Sequence, residues 1–530
     1  MQHRLSSQNR QAKIMGAMVD TAAFYTLLCG PLLFVTLVVK LKKATPPRQN
    51  GGVNLPPGPW GLPVIGSIHC LLGSLPHHAT MRNLARRYGP VMLLRLGHVQ
   101  TLVLSSPEAA REAMKTHDVA FATRAVTPTA SILTYGARDI VFAPFGKHQR
   151  ELRKLCTLEL LSPKRVSSFR HVREEEAAGL VRSVAAAAAA SSSPAAVNVS
   201  ELVKITANNI IMRVMIGDRC PQQEEYLEAL DKAMDLLAGF NLVDLFPGSR
   251  LARLLGGRTL RATKRVHEKF HRISDTIIQG HGNKCDYDVG TRHKCEDTLD
   301  VLLRFQRDGG LGITLTKEIV SAVLFDLFAA GSETTSTTVI WAMSELMRNP
   351  HVMERAQSEI RRVLDGKTKV CEVDIEDQLH YLHLVIRETL RLHPPVPFVI
   401  PRLCSKPNSK ITGYDIPLGT VVLVNVSAIG RDEKIWKDAY EFRPERFKDD
   451  IVDFSGTDFR FIPGGAGRRM CPGLTFGVSN IEIVLASLLY HFDWKLPGET
   501  GGCELDMSET QGVTARRRTD LLLKATRVYV

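Results

Sequence analysis

The 530-residue chain lacks the markers of several protein classes. Its ten cysteines stand singly, with no CxxC pair. That argues against a disulfide framework and for reduced thiols in the cytosol. Aromatics make up 6% of the chain, and no basic run is interleaved with them. Nucleic acid is therefore not an expected partner, despite a net charge of +13. No GxGxxG follows a predicted strand, so no flavin or nicotinamide site is expected on this chain. No internal repeat is visible.

What is present is an ordinary globular composition, 44% apolar and 23% charged. Length alone allows about three or four domains. The basic balance suits a solvated basic surface, an acidic protein partner or an anionic membrane. Residues 22–39, AAFYTLLCGPLLFVTLVV, form an unbroken apolar run of bilayer-spanning length. Lys40, Lys42 and Lys43 follow, then LPPGPWGLP (55–63), whose prolines favour an extended hinge. The expected order is a tail (1–21), a transmembrane anchor (22–39), a basic, proline-rich hinge (40–63) and a folded part (64–530). A cleavable signal peptide would need a small-residue site after a shorter apolar stretch. Arg4, Arg10 and Lys13 weaken the charge asymmetry, and the free cysteines favour a cytosolic C-terminal part.

Within the folded part, 91–96 and 101–104 flank Gly97-His98 and predict a β-hairpin. A second hairpin is expected over 411–426 with Pro417-Leu418-Gly419 as its turn. Most other segments have helical periodicity. The alanine-rich stretch 181–197 predicts a helix end running into a loop. HGNKCDYDVGTRHKC (281–295) has no usual zinc-ligand spacing and predicts a polar loop.

The longest helix is expected from Thr316 as N-cap to Asn349-Pro350, roughly 32 residues or about 48 Å. Its first half is apolar all round, hence buried. The following AAGSETTSTT (329–338) conflicts with helix propensity, and such conflicts often mark function. Hydroxyls there can bond back to i−4 carbonyls. A gap beside Gly331 would admit a small ligand, and Glu333 beside Thr334 would be an acid–alcohol pair suited to proton delivery. A packed small-residue seam explains the same composition.

FIPGGAGRRMCPG (461–473) places Cys471 after two arginines and just before a predicted helix. Cations, converging N–H groups and the helix dipole all favour a thiolate. A nucleophile wants a nearby base, and no histidine is close in sequence. A single thiolate cannot hold zinc. It can serve as the proximal ligand of a haem, with the arginines suited to propionates.

These residues resemble the haem-binding loop of cytochrome P450 monooxygenases, in the form of plant microsomal members. AGSETT (330–335) resembles the oxygen-binding groove of that family, ETLR (388–391) its E-x-x-R pair, and FRPERF (442–447) the segment completing that network. PPGPWGLPVIG (56–66) resembles the hinge after the anchor. The resemblance implies a mainly α fold with small β-sheets, one large haem-thiolate unit behind an N-terminal transmembrane helix. It implies haem b, with Cys471 as axial iron ligand. Arg469, Arg402, Arg153 and Gln149 would meet propionates, and Gly465 and Gly467 would shape the loop. Thr334 and Glu333 would deliver protons to bound dioxygen. Glu388, Arg391 and Arg446 would brace the cysteine loop. Ala329, Ala330, Val396, Val399 and Val513 would line the substrate pocket, whose aliphatic character suggests a terpenoid, with phenylpropanoids and other specialised metabolites as the alternatives. The implied reaction inserts one oxygen atom from dioxygen into a hydrophobic plant metabolite, with electrons from NADPH through a separate NADPH-cytochrome reductase. The implied location is the endoplasmic reticulum membrane, single-pass, with the catalytic part cytosolic. The rivals are a haem-thiolate isomerase or lyase that does not use dioxygen, and a non-catalytic haem sensor. Two positions depart from the pattern. Gly464 stands where the family has phenylalanine, and either a neighbour such as Phe461 fills the space or the thiolate is more exposed. Gln149 stands in place of tryptophan, four residues before Arg153.

Overall fold

In a computed structural model, the protein is described over residues 53–189, 196–220, 222–287, 296–376, 378–450, 452–497 and 505–528. The anchor at 22–39, the tail and most of the hinge lie outside the described residues, as do 190–195 of the alanine-rich stretch. The helices that frame the site are α1 (Lys147–Leu155), α2 (Arg170–Ala189), α3 (Val199–Ile216), α4 (Gln223–Leu236), α5 (Gly257–Tyr287), α6 (Lys317–Arg348), α7 (His380–Leu392) and α8 (Leu474–His491).

Helix α6 has the predicted length of 32 residues and both predicted ends. The Thr316 hydroxyl accepts from the Ile319 N–H (3.4 Å), satisfying one of the donors a helix start leaves orphaned. Asn349 caps the other end. Nearly every side chain from Ile319 to Leu346 is buried, so packing rather than propensity carries this helix. Gly331 differs from its expected role. A Cβ there would lie 2.6 Å from Ile211 Cδ1. The glycine lets α3 approach α6 closely, and no gap opens on that side. Helix α8 follows the cysteine loop as expected. It is the one described helix long and apolar enough to cross a membrane, and 67% of it is buried in the protein. It is a core helix.

Strands β1 (Val91–Leu96) and β2 (Val99–Leu104) form the first hairpin, with Leu96 opposite Val99 and Gly97 at φ +64°. The second strand starts two residues earlier than predicted, because only the two residues 97–98 are needed for the turn. The remaining strands are β3 (Thr123–Arg124), β4 (Val197–Asn198), β5 (Arg402–Leu403), β6 (Ser409–Ile411), β7 (Tyr414–Ile416), β8 (Val421–Val424), β9 (Phe492–Lys495) and β10 (Leu522–Arg527). The second hairpin differs from expectation. Its turn is Thr412-Gly413, both at positive φ, and it joins β6 to β7. Pro417–Gly419 instead carries the chain into β8, which runs parallel to β2 and antiparallel to β5. The sheet order β1-β2-β8-β5-β3 sets Arg124 directly opposite Arg402. Like charges opposed on neighbouring strands are unfavourable unless something anionic compensates them.

The expected loop at 281–295 also differs in part. Residues 281–287 continue α5, and His281 Nε2 lies 2.7 Å from Asp300 and 3.4 Å from Asp297. Residues 288–295, with His293 and Cys295, lie outside the described residues.

Candidate active site

Four arginines converge beside the cysteine loop. Arg124 donates to the Val141 carbonyl (3.0 Å) and the Ile400 carbonyl (2.5 Å). Arg402 pairs with Asp118 (2.9 Å) and donates to the Ala466 carbonyl (2.8 Å). Arg469 donates to the carbonyls of Ala122 (2.7 Å) and Ala143 (2.5 Å). Arg153 on α1 completes the group. Burial lowers the pKa of all four, and mutual repulsion lowers two of them further, with Arg469 at about 10. Against them stand the carboxylates of Asp118 and Asp139, so two positive charges are left over. A buried excess of that size calls for an anion. Arg402 Nε and Gln149 Nε2 are buried without a hydrogen-bond partner, and each offers a donor to one. A group with two carboxylates, such as a haem with its propionates, fits this donor set.

The cysteine loop is shaped by two glycines. Gly465 and Gly467 have φ of +72° and +67°. A Cβ on Gly467 would collide with the Met114 carbonyl oxygen at 1.9 Å, so only glycine allows the loop to approach that turn. The Cys471 side chain is exposed, yet burial pushes its thiol pKa up. Both are consistent if the sulfur faces an internal cavity and not bulk solvent. Ala330 is likewise exposed on α6, between buried Ala329 and half-buried Gly331. The Gly473 N–H and Arg153 favour the thiolate. This differs from the expected source of positive charge: Arg468 lies near Asp118 (3.5 Å) and Arg469 is spent on carbonyls. Iron coordination would deprotonate the thiol outright.

A comparison with known proteins decides the family. Residues 56–523 match the description Cytochrome P450. The chain belongs to the cytochrome P450 family. It is 46% identical over 504 residues to desmethyl-deoxy-podophyllotoxin synthase of Sinopodophyllum hexandrum, covering 95% of this chain and 97% of the relative. It is 47% identical over 499 residues to dolabradiene monooxygenase of Zea mays, covering 94% and 97%. A zebra fish cytochrome P450 solved with abiraterone has a TM-score of 0.70 at 25% identity, covering 86% of this chain and 100% of that one. This P450 is thus a haem-binding monooxygenase related to plant enzymes.

The acid–alcohol residues of the P450 point in different directions. Thr334 Oγ1 donates to the Ala330 carbonyl (2.8 Å), one turn back, as expected for a hydroxyl in this helix. Glu333 is buried, which raises its pKa. Its Oε1 accepts from Thr514 Oγ1 (2.7 Å) and lies 3.3 Å from Arg516 Nε. Arg516 continues to Asp231 (2.6 Å) and Asp235 (3.1 Å) on α4. The two residues are neighbours in sequence, but Glu333 is tied to the C-terminal turn and not to Thr334.

The E-x-x-R residues meet in the core. Glu388 takes both Nε (2.7 Å) and a terminal nitrogen (2.8 Å) of Arg391, and Arg446 Nε lies 3.0 Å away. Arg391 also donates to the carbonyls of Gly430, Ala439 (2.8 Å) and Glu441 (3.2 Å). The expected pocket residues come from three segments. Ala329 is buried beside exposed Ala330; Val399 (φ +46°) sits 3.9 Å from the position of a Cβ on Gly465; the turn holding Val513 joins α4, with its N–H 3.3 Å from the Met234 carbonyl. Val396 is half-buried in the turn whose Pro395 carbonyl accepts from the Ala515 N–H (2.9 Å). A cavity of ≈ 500 Å³ elsewhere, lined by Glu176, Arg219 and Gln223, contains none of these residues.

Two residues escaped the sequence reading. Arg124 carries no motif, and only its pairing with Arg402 reveals it. Leu474 answers the question raised by Gly464. Its Cδ atoms lie 3.2 and 3.4 Å from the place of a Cβ on Gly464, and Cys471 Cβ lies at 3.5 Å. Leu474 therefore occupies the space beside the cysteine. Phe461 does not, since it packs on Phe447 (ring centroids 5.3 Å).

Proposed function

We propose that this P450 is a membrane-bound monooxygenase that oxidises a hydrophobic plant specialised metabolite, a terpenoid, with electrons from an NADPH-cytochrome reductase. The observation that carries the haem assignment is the buried arginine cluster with its two uncompensated charges beside Cys471. When bound there, haem supplies the dioxygen chemistry; Cys471 would ligate it, and Arg124, Arg153, Arg402, Arg469 and Gln149 would hold its propionates. Thr334 and Glu333 would manage protons on the α6 side, while Glu388, Arg391 and Arg446 would brace the loop from behind.

A terpenoid is favoured by the aliphatic residues Ala329, Ala330, Val396, Val399 and Val513, and by relatives named for dolabradiene and ent-cassadiene. Endoplasmic reticulum attachment with a cytosolic catalytic part is favoured by the apolar run at 22–39 and by exposed leucines. Leu254 is 78% exposed and Leu72 75%, and Leu71 shares a cluster with Phe240 and Leu245 near the two patches. Such apolar patches rimmed with Arg250 and Arg253 suit a lipid surface. A reductase is favoured by the basic side chains of Arg150, Lys154 and Arg468 on the cysteine side.

The test is turnover in membranes containing the P450 and a plant reductase, with NADPH, isotopically labelled dioxygen and a panel of terpene hydrocarbons. The expected product carries one labelled oxygen atom. Label arriving from water, or products from phenylpropanoids alone, would contradict the reaction or the substrate class respectively.

A further inference from the structure

Asp139, counted above against the arginines, has a second buried acid beside it, Asp326. Asp139 is 0% exposed and Asp326 6%. Asp326 sits on α6, about two turns before Thr334. Its Oδ2 accepts from the N–H groups of Ile140 (2.7 Å) and Val141 (3.0 Å). Asp139 accepts from the Phe142 N–H (3.0 Å), so the N–H groups of three successive residues, 140 to 142, hold the two carboxyls on one turn. Two carboxylates so placed would both be acceptors only and would repel away from water, which a proton on one of them relieves.

The loop 139–143 is held on its other side by arginines. The Val141 carbonyl accepts from Arg124, and the carbonyls of Ile140 (3.4 Å) and Ala143 (2.5 Å) accept from Arg469. The loop therefore gives the N–H groups of residues 140 to 142 to the acids and the carbonyls of 140, 141 and 143 to the arginine cluster.

We propose that Asp139 and Asp326 share one proton, and that this pair, acting through the loop 139–143, positions Arg124 and Arg469 to receive the haem propionates. Charge supports it. With one proton on the pair, the cluster keeps the two positive charges a dicarboxylate needs. A second ionisation would cancel one of them and set two anions in contact away from water.

The surrounding groups assign the proton. Asp139 faces Arg124 from β3 and Arg469 from the cysteine loop, which favour its ionised form; Asp326 faces it from α6. Asp326 faces Asp139 and the Cys156 thiol beyond α1, which burial pushes up to about 12 and keeps neutral. Burial raises Asp139 to about 6, and burial with the Asp139 charge raises Asp326 well above the carboxylate range. Raised carboxyl pKa values stabilise the fold at low pH, and that contribution is lost as pH rises through the folded-state values. At neutral pH the remaining proton sits on Asp326, and alkaline pH removes it.

The test measures haem transfer from the holoenzyme to apomyoglobin across neutral to alkaline pH, together with amide exchange at 140–141. Asp326→Asn keeps an acceptor for both N–H groups and a donor to Asp139, so it mimics the protonated acid. It should match wild-type transfer at neutral pH and lack the acceleration expected of the wild type as the pH is raised. Asp326→Leu removes the acceptor and should speed transfer on the order of tenfold at neutral pH, with faster exchange at 140–141. The proposal fails if Asp326→Asn loses haem as fast as Asp326→Leu, if below the range where Arg469 discharges it accelerates as much as the wild type, or if the wild type shows no acceleration there. Should Asp326→Leu not fold, Asp326→Asn against wild type decides alone.

Discussion

Two of the buried arginine–carboxylate clusters in this P450 are built on opposite principles. Around Glu388 the protein completes the cluster itself. Arg391 places its donors on Glu388 and three carbonyls, and Arg446 closes the remaining side. Around Arg124, Arg153, Arg402 and Arg469 it does not. Like charges face each other across strands, buried donors lack partners, and the guanidinium pKa values fall. In the proposed reading the first cluster is a brace, and the second is a receptor for a dianion that would relieve its repulsion.

The largest effect should come from breaking the brace. Arg391→Met leaves the Glu388 carboxylate buried with one partner fewer and should cost about 3–5 kcal/mol, enough to abolish soluble protein. Urea unfolding and soluble yield measure it. In the receptor, Arg124→Met should cost the haem-free protein at most about 2 kcal/mol, because lost hydrogen bonds are offset by relieved repulsion. Haem loss should nevertheless accelerate. Equal destabilisation by the two substitutions would erase the distinction between the clusters.

How much of this was legible in the sequence depends on how local each signal is. The caps and length of α6, the glycines of the cysteine loop and the helix after it follow from neighbouring residues, and the structure has them where the pattern puts them. Contacts between distant segments were not legible. Arg124 meets Arg402 only through strand pairing, Glu333 meets Thr514 181 positions away, and Gly331 is fixed by Ile211 on another helix. The 411–426 hairpin was misread because Pro417-Leu418-Gly419 has turn chemistry, while Thr412-Gly413 supplies the tighter turn.

A smaller effect sharpens the receptor side. Gly464→Phe alone should overpack against Leu474, costing about 1–3 kcal/mol in thermal unfolding. Combined with Leu474→Ala it should recover stability and shift the reduction potential. If Gly464→Phe alone is neutral, Leu474 does not occupy the ring's place. Smallest is the surface effect. Reversing Arg150 and Lys154 to glutamate should raise the reductase concentration needed for half-maximal turnover several-fold and weaken its salt dependence, with stability changed by less than about 0.5 kcal/mol each.

The central claim is that Cys471 holds the haem iron as a thiolate. The most direct measurement is the carbon monoxide spectrum of the reduced protein, taken for the wild type and Cys471→Ser. A strongly red-shifted Soret band is expected in the wild type and none in Cys471→Ser. An unshifted band in the wild type, or a red-shifted band that survives the substitution, would contradict it.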